Sequence, residues 1–185
     1  MLIKDALLQY VPYNEQERVD REVMLKCLET MPDVLVRDNL LCHFTASAWI
    51  VNRERTKVLF AYHNIYKSWT WIGGHADGME DMLKVALKET EEETGVSDAR
   101  PVSEDIFSIE TVHVEPHIKR GKYVPAHEHF NVTYLLEADE DVAVRPKLDE
   151  NAGVKWIEFD EAIAGTPEPA VVTVFSKIVE KVRNM

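Results

Sequence analysis

The sequence predicts one mixed α/β domain, because β-rich segments fill the middle of the chain and helical segments stand on both sides. The 185 residues are enough for one domain with a sizeable core and short for two. A composition of 45% hydrophobic and 29% charged residues is that of an ordinary globular protein. No apolar run approaches the roughly 20 residues of a membrane-spanning helix, and acidic residues and Pro12 interrupt the first apolar stretch. We therefore expect a cytoplasmic protein without a membrane partner.

The first predicted elements are an amphipathic helix and a β-hairpin. Residues 14–31 place apolar side chains at helical spacing, and Pro32 ends this helix. The β-rich runs HFTASAWIVN and KVLFAYHN flank the polar turn RERT, which is the pattern of a hairpin. The next run, SWTWI, predicts a short strand that leads into Gly73 and Gly74.

The second half of the chain predicts three more strands and two helical segments. The polar, basic segment PHIKRGKYVPAH links the first two of these strands and is predicted to be a loop. The strands are expected in DIFSIETVHVE, EHFNVTYLLEA and GVKWIEF, and the helical segments in DEAIAG and PAVVTVFSKIVEKVRN.

The charge balance excludes one class of partner. Asp and Glu number 33 against 21 Lys and Arg, which gives a net charge of −12. Sequence-independent nucleic-acid binding needs a basic surface, so we expect no nucleic-acid partner. A small phosphorylated ligand remains compatible, because a divalent cation can screen it from the protein's negative field.

The two cysteines, Cys27 and Cys42, have neither CxxC spacing nor any other paired spacing. In a reducing compartment they are expected to be free, buried thiols that behave as small apolar residues. A disulfide framework is not expected.

The segment GGHADGMEDMLKVALKETEEETGV, residues 73–96, predicts an acidic helix. Asp81 stands where it can cap the N-terminus, and Gly95 stands where a C-terminal cap is favoured. At about 100° per residue, one stripe is expected to pack and another to present carboxylates. The packing stripe is Leu83, Leu87, Thr90 and Thr94, and the carboxylate stripe is Glu89, Glu92 and Glu93.

The carboxylate stripe suggests a metal site, although a solvated acidic face is the simpler interpretation of a Glu-rich helix. Glutamates near the C-terminus of a helix oppose its macrodipole. The preceding Gly-Gly loop also lets backbone carbonyls act as ligands. Three carboxylates and a carbonyl oxygen suit a hard divalent cation, Mg²⁺ above all, with Mn²⁺ as a substitute.

The same segment resembles the Nudix box, G-x5-E-x7-R-E-U-x-E-E-x-G-U, in which U is a bulky aliphatic residue. Every Gly and Glu of the box is matched at its spacing, whereas Lys88 replaces the arginine and Thr90 replaces an aliphatic residue. Lys lacks the planar fork of Arg, so the glutamates are expected to be oriented less firmly. The matching positions are Gly74, Glu80, Glu89, Glu92, Glu93, Gly95 and Val96.

The resemblance covers residues 42 to about 163 and implies an architecture. It implies a Nudix-type α/β/α sandwich with a mixed sheet over residues 41–185. Residues 1–40 are then an N-terminal helical extension packed on that domain. Members of the family are frequently dimers, so the resemblance also makes a homodimer possible.

The resemblance further implies hydrolysis of the pyrophosphate bond in a nucleoside diphosphate linked to another moiety, which would be the small-molecule partner. Mg²⁺ would be held by Glu89, Glu92, Glu93 and the Gly73 carbonyl, and Glu80 and Lys88 would orient these ligands. The bound ion would neutralise the phosphates and lower the pKa of a bound water. The general base would be Glu89 or Glu150, which stands in a polar loop before Trp156.

Histidines and aromatic residues give weaker indications. His127 and His129 alternate, so they share one face of a strand, and His113 in the preceding strand could approach them. With His75, which follows Gly74, they are candidates to bind substrate, although exposed or hydrogen-bonded side chains are at least as good an interpretation of the strand histidines. A zinc site would need a more complete ligand set. Four aromatic residues could stack on a base or belong to the core: Tyr62, Trp69, Trp71 and Phe130.

Two other functions remain open. A Nudix-like module could bind a nucleotide and regulate without catalysis, but such modules usually lose glutamates of the box. An isoprenoid diphosphate isomerase shares the fold and relies on a cysteine, but Cys42 lacks the expected local context. Among substrates, a nucleoside triphosphate, a nucleotide sugar and a dinucleotide are all compatible with the sequence.

Overall fold

The computed structural model describes residues 1–65, 67–119 and 121–185. Two helices precede the strands, one helix lies among them and two helices follow them, so the predicted mixed α/β class is confirmed. The helices are α1 Ile3–Gln9, α2 Glu15–Thr30, α3 Met82–Thr94, α4 Phe159–Ala164 and α5 Pro169–Arg183. The strands are β1 Cys42–Val51, β2 Lys57–His63, β3 Ser68–Thr70, β4 Ile72–His75, β5 Arg100–Pro101, β6 Ser108–Val114, β7 His117–Lys119, β8 Lys122–Val124, β9 His127–Glu137 and β10 Asn151–Glu158.

Each predicted strand and helix is present, and the structure adds several short elements. The short helix α1 and the two-residue strand β5 were not predicted. The segment predicted to be a loop contains β7 and β8, which pair in antiparallel fashion. Three-residue strands are too short to show alternation, which explains why the sequence did not reveal them. Arg120, which belongs to this predicted loop, lies outside the described residues.

The chain divides into two compact units. The first unit contains Met1–Ser47, Gly73–Ala86 and Glu104–Tyr134. The second contains Ala48–Ile72, Leu87–Ser103 and Leu135–Met185.

In the first unit, helix α2 packs beside strand β6, and α1 packs on α2. Asn14 caps α2 by accepting a hydrogen bond from the Glu17 backbone N–H at 3.0 Å. From α2, the Gln16 amide donates to the Ile109 carbonyl at 3.0 Å, and Asp20 accepts from the Thr111 N–H at 3.0 Å. Strand β6 pairs antiparallel with β9, and β4 pairs with β1.

A buried polar network lies inside the first unit. The Glu17 carboxylate accepts hydrogen bonds from the Tyr10 hydroxyl at 2.6 Å and the Ser108 hydroxyl at 3.0 Å. The Asn131 amide donates to Glu110 at 3.1 Å. Each of these carboxylates is essentially inaccessible to solvent. Such networks are stable only when their members are satisfied, so they fix the relative positions of α2, β6 and β9.

The second unit has an aromatic core. Strand β2 pairs antiparallel with β1 through Val51 and Val58, as the predicted hairpin requires, and also with β10. The ring of Trp49 lies 5.4 Å from that of Phe60 and 5.3 Å from that of Phe175. The buried face of α5 has the i, i+3, i+4, i+7 spacing of an amphipathic helix and consists of Phe175, Ile178, Val179 and Val182.

Candidate active site

The acidic helix α3 has its predicted caps but packs through a different stripe. Thr90 and Thr94 are buried as expected, whereas Leu83 and Leu87 are only half-buried. The fully buried apolar residues of α3 are Met82, Val85 and Ala86. These residues have the same helical spacing as the predicted stripe, one position away, so periodicity alone could not separate the two.

Because the buried stripe is shifted by one residue from the predicted stripe, two of the three glutamates lie on the packed side of α3. Glu89 is 9% exposed and Glu93 is 7% exposed, while Glu92 is exposed. Burying an ionised carboxylate costs several kcal/mol unless it is paired or coordinated, so a solvated acidic face does not describe α3.

Two lysines lie against these carboxylates. The Lys88 ammonium is 3.1 Å from Glu89 and 3.2 Å from Glu92. The Lys147 ammonium is 3.5 Å from Glu92 and 3.2 Å from Glu150. The hydrogen bond from Lys88, with Lys147 adding to it, lowers the pKa of the Glu92 carboxyl. Lys147 thus brings Glu150 into the same charged group as the helix glutamates, a link that no local sequence pattern indicated.

The C-terminus of α3 is held by a close backbone contact. Gly95 has φ +74°, a left-handed conformation that side chains disfavour, as expected for its predicted role as a cap. The Arg145 N–H donates to the Thr94 carbonyl at 2.8 Å. A Cβ atom at Gly95 would lie 2.5 Å from the Arg145 Cγ. The hydrogen bond and the close approach at Gly95 together fix the C-terminus of α3 against Arg145.

The residues before α3 belong to the first unit. A Cβ atom at Gly73 would lie 2.6 Å from the Ala46 carbonyl oxygen, so only glycine lets β4 approach β1 this closely. Asp81 accepts from the Lys84 N–H at 3.4 Å, consistent with its predicted capping role. The Glu80 side chain is exposed.

The structure brings together four histidines in the first unit. His75, His127 and His129 were predicted to line a site, and the buried His43 was not. The ring centroid of His43 lies 4.8–5.0 Å from those of the other three. His113 instead bonds to Glu128 at 2.8 Å, and its side chain is exposed.

Burial keeps most of this histidine cluster uncharged. Desolvation lowers the pKa of His75 to about 3 and that of His129 to about 2, with the Arg37 charge adding at His75. The pKa of His43 is also lowered, again mainly by burial. These imidazoles are therefore neutral near pH 7 and present nitrogen lone pairs.

The four aromatic candidates divide into two groups. The Trp71 ring packs 5.2 Å from Phe175, and Phe130 is buried 5.5 Å from Phe44, so both serve the core. Tyr62 and Trp69 are half-buried with ring centroids 5.4 Å apart. The Lys155 ammonium lies 4.5 Å from the Trp69 ring centroid.

A family model and a curated relative match this sequence. The family model for the NUDIX domain matches residues 43–176. The chain is also similar to the asymmetrical bis(5'-nucleosyl)-tetraphosphatase of Rattus norvegicus, with 32% identity over 95 residues. That match spans 51% of this chain and 58% of the rat protein, which is less than two thirds of its length.

Solved structures show the same fold. An Ap4A hydrolase of C. elegans, in a binary complex, superposes with a TM-score of 0.58 and 20% identity, covering 77% of this chain and 98% of that one. A NUDIX-family hydrolase from Clostridium perfringens gives a TM-score of 0.53 and 19% identity, covering 75% and 96%. The predicted fold class is therefore confirmed.

Proposed function

The chain belongs to the NUDIX domain family, and we propose that it hydrolyses the pyrophosphate bond of a nucleoside diphosphate linked to another moiety, with Mg²⁺ as cofactor. One observation carries this proposal: Glu89, Glu92 and Glu93 lie on neighbouring positions of α3, and two of these carboxylates are buried. A cluster of carboxylates this close together is stable when cations neutralise its negative charge, as the contacts of Lys88 with Glu89 and Glu92 illustrate.

The donors suit a hard cation. Glu89, Glu92 and Glu93 offer carboxylate oxygens, and Gly73 offers the backbone carbonyl that the Nudix box pattern adds. Oxygen donors are the ligands that Mg²⁺ prefers, with Mn²⁺ as a substitute. When bound, the ion supplies charge neutralisation for the phosphates and activation of the attacking water.

The residues around these carboxylates orient them and move a proton. Lys88 holds the carboxylates of Glu89 and Glu92 through its ammonium group. We propose Glu150 as the general base that accepts the proton of the attacking water, with Glu89 as the alternative. Lys147 supports Glu150 because its ammonium, 3.2 Å away, holds that carboxylate in position. Glu80 is proposed to help orient the glutamates.

We propose a dinucleoside polyphosphate as the first substrate to test, because the rat relative is named for a bis(5'-nucleosyl) tetraphosphate. His75, His127 and His129 are proposed to bind the substrate in the first unit. Lys119, whose charge acts on His75, supplies positive charge there, which suits an anionic ligand.

We also propose that residues 1–40 are an extension packed on the domain of residues 41–185. The Ile3 N–H donates to the Glu80 carbonyl at 2.9 Å, and the Gly78 N–H donates to the Leu35 carbonyl at 2.8 Å. Both bonds join this segment to the stretch just before α3. Among the described residues, none of the helices combines the length and apolar character needed to cross a membrane.

The experiment is a substrate panel in Mg²⁺ and ¹⁸O-water. Dinucleoside tetraphosphate, nucleoside triphosphates and nucleotide sugars are incubated with the protein, and products are identified by mass spectrometry. We expect cleavage of a phosphoanhydride, ¹⁸O on one phosphate product, and loss of both in Glu93→Gln. Tight nucleotide binding without product would instead indicate a regulatory module. Conversion of isopentenyl diphosphate to its isomer would indicate an isomerase.

A further inference from the structure

We propose that His43, His75 and His129 bind a divalent transition-metal ion, Zn²⁺ foremost, at a site that uses none of the α3 carboxylates. One nitrogen from each of these three rings lies within 4.8 Å of the others. This inference does not depend on the proposed hydrolysis, because ion binding is measured without substrate.

The strands place these histidines by long-range pairing. His43 lies on β1, His75 ends β4, and His129 lies on β9. Strand β1 pairs with β4 and neighbours β9, so the three side chains come from three strands of the first unit. Strand positions hold ligands more rigidly than loop positions, which favours a preformed site.

The contacts of His43 leave a lone pair without a partner. Its Nδ1 lies 2.9 Å from the Asn39 carbonyl oxygen, which can only accept, so Nδ1 carries the proton. In the neutral ring Nε2 is then unprotonated. This Nε2 is buried without a hydrogen-bond partner among the described residues. A buried acceptor without a partner costs about 1–3 kcal/mol, and a bound metal ion removes that cost.

A fourth histidine fixes the proton of His129. The His127 Nδ1 lies 2.8 Å from the Pro125 carbonyl oxygen and must donate to it, which leaves the His127 Nε2 as an acceptor. That Nε2 is 3.2 Å from the His129 Nε2, which therefore donates. The Nδ1 atom of His129 is then unprotonated and able to bind a metal. His127 acts as the neighbouring group that orients a metal-ligating imidazole.

The chemistry of the donors selects the class of ion. Neutral imidazole binds Zn²⁺, Cu²⁺ and Ni²⁺ well, whereas Mg²⁺ prefers oxygen. Ligands of tetrahedral zinc lie about 2.1 Å from the metal and hence roughly 3.4 Å apart, so small ring rotations would close this site.

Nearby charges do not prevent binding of a cation. The Arg37 guanidinium lies near His75 but is held by two hydrogen bonds to the Asp77 carboxylate. With three protein ligands, a tetrahedral ion keeps one open position. A phosphate oxygen is the chemical group that we expect there, because the charge of Lys119 acts on His75 and favours an anion.

The experiment titrates the metal-stripped full chain with Zn²⁺ in excess Mg²⁺, using calorimetry, and then with Co²⁺, using visible absorption. We expect one Zn²⁺ per chain and a Co²⁺ spectrum of low-symmetry coordination. His43→Ala and His129→Ala are expected to weaken Zn²⁺ binding at least about tenfold. His113→Ala, which removes an exposed histidine of the same unit, and Glu93→Gln are matched controls and should bind Zn²⁺ as the unmodified chain does.

Several outcomes would overturn the proposal. Unchanged Zn²⁺ affinity in the two cluster variants, or a loss confined to Glu93→Gln, would remove the site. Weaker substrate binding in the cluster variants with intact Zn²⁺ binding would indicate direct contact with phosphate instead. If the alanine variants fail to fold, X-ray absorption of the Zn²⁺-loaded unmodified chain decides, since imidazole ligands support the site and oxygen ligands alone exclude it.

Discussion

The Nζ atom of Lys147 lies 3.5 Å from a carboxylate oxygen of Glu92, 55 positions away in sequence. The same ammonium contacts Glu150 at 3.2 Å. Lys147 thus links the α3 glutamates to the proposed general base. Its positive charge also offsets part of the negative charge with which these glutamates attract a cation. Removing Lys147 should therefore slow the reaction but strengthen cation binding.

Lys147→Met is expected to lower kcat by about 10- to 100-fold, because Glu150 loses the group that positions it. The same change should lower the Mg²⁺ concentration for half-maximal activity a few-fold, because a competing positive charge has gone. Steady-state kinetics over a Mg²⁺ series measures both. Lys84→Met, an exposed lysine of α3, is the control and should change neither value. An unaltered kcat would show that Lys147 does not support the base.

Gly95→Ala should destabilise the protein by about 2–4 kcal/mol. The left-handed φ alone costs about 1–2 kcal/mol, and the added Cβ would meet Arg145. Gly121→Ala is the matched control, because Gly121 has φ +78° and no atom of the described residues lies within 4 Å of the position that an added Cβ would take. Urea unfolding of both variants separates conformational strain from steric contact. Equal losses in the two would mean that Arg145 moves aside without cost.

Glu17→Ala should cost about 3–5 kcal/mol of the free energy of unfolding. The change removes a buried carboxylate that accepts hydrogen bonds from the Tyr10 hydroxyl at 2.6 Å, the Tyr13 N–H at 2.7 Å and the Ser108 hydroxyl at 3.0 Å. Glu22→Ala, which removes an exposed partner of Arg18 in the same helix, should stay within about 0.5 kcal/mol. Chemical denaturation measures both, and similar values for the two would show that the buried network adds little stability.

The two cysteines should differ in reactivity. Both are free thiols, but burial raises the pKa of the Cys42 thiol to about 11, whereas Cys27 is only half-buried. A raised pKa keeps the thiol protonated at pH 8, so the reactive thiolate of Cys42 is about 0.1% populated. Titration of Cys27→Ser with an aromatic disulfide reagent should therefore be slow and should accelerate as pH rises towards 11. Rapid modification of folded Cys27→Ser at pH 8 would contradict this assignment.

The sequence predicted local features well because local interactions determine them. The caps of α3 at Asp81 and Gly95 and the hairpin of β1 and β2 follow from turn chemistry and alternation. Position in space was harder to predict. Lys147 lies beside Glu92, and His43 lies beside His129, through contacts between segments that are far apart in sequence. No spacing rule connects these residues.

Prediction of the packed face of α3 failed for a related reason. Two adjacent stripes had equal helical periodicity, and the sequence alone does not say which one meets the core. The structure buries Met82 and Ala86 with Glu89 and Glu93. This places charged groups where apolar residues would normally pack. Such a conflict between burial and charge is typical of a functional site.

The most direct test of the proposed function compares Glu93→Gln with Glu91→Gln. Glu93 is a buried, proposed metal ligand, whereas Glu91 is an exposed glutamate of the same helix. In Mg²⁺, with the substrate that the panel identifies, we expect kcat/KM to fall at least about 100-fold in Glu93→Gln. The bound metal ion is expected to lower the activation free energy by several kcal/mol, and the variant would lose much of that effect. Glu91→Gln should retain the full rate. Equal rates in the two folded variants would contradict the account.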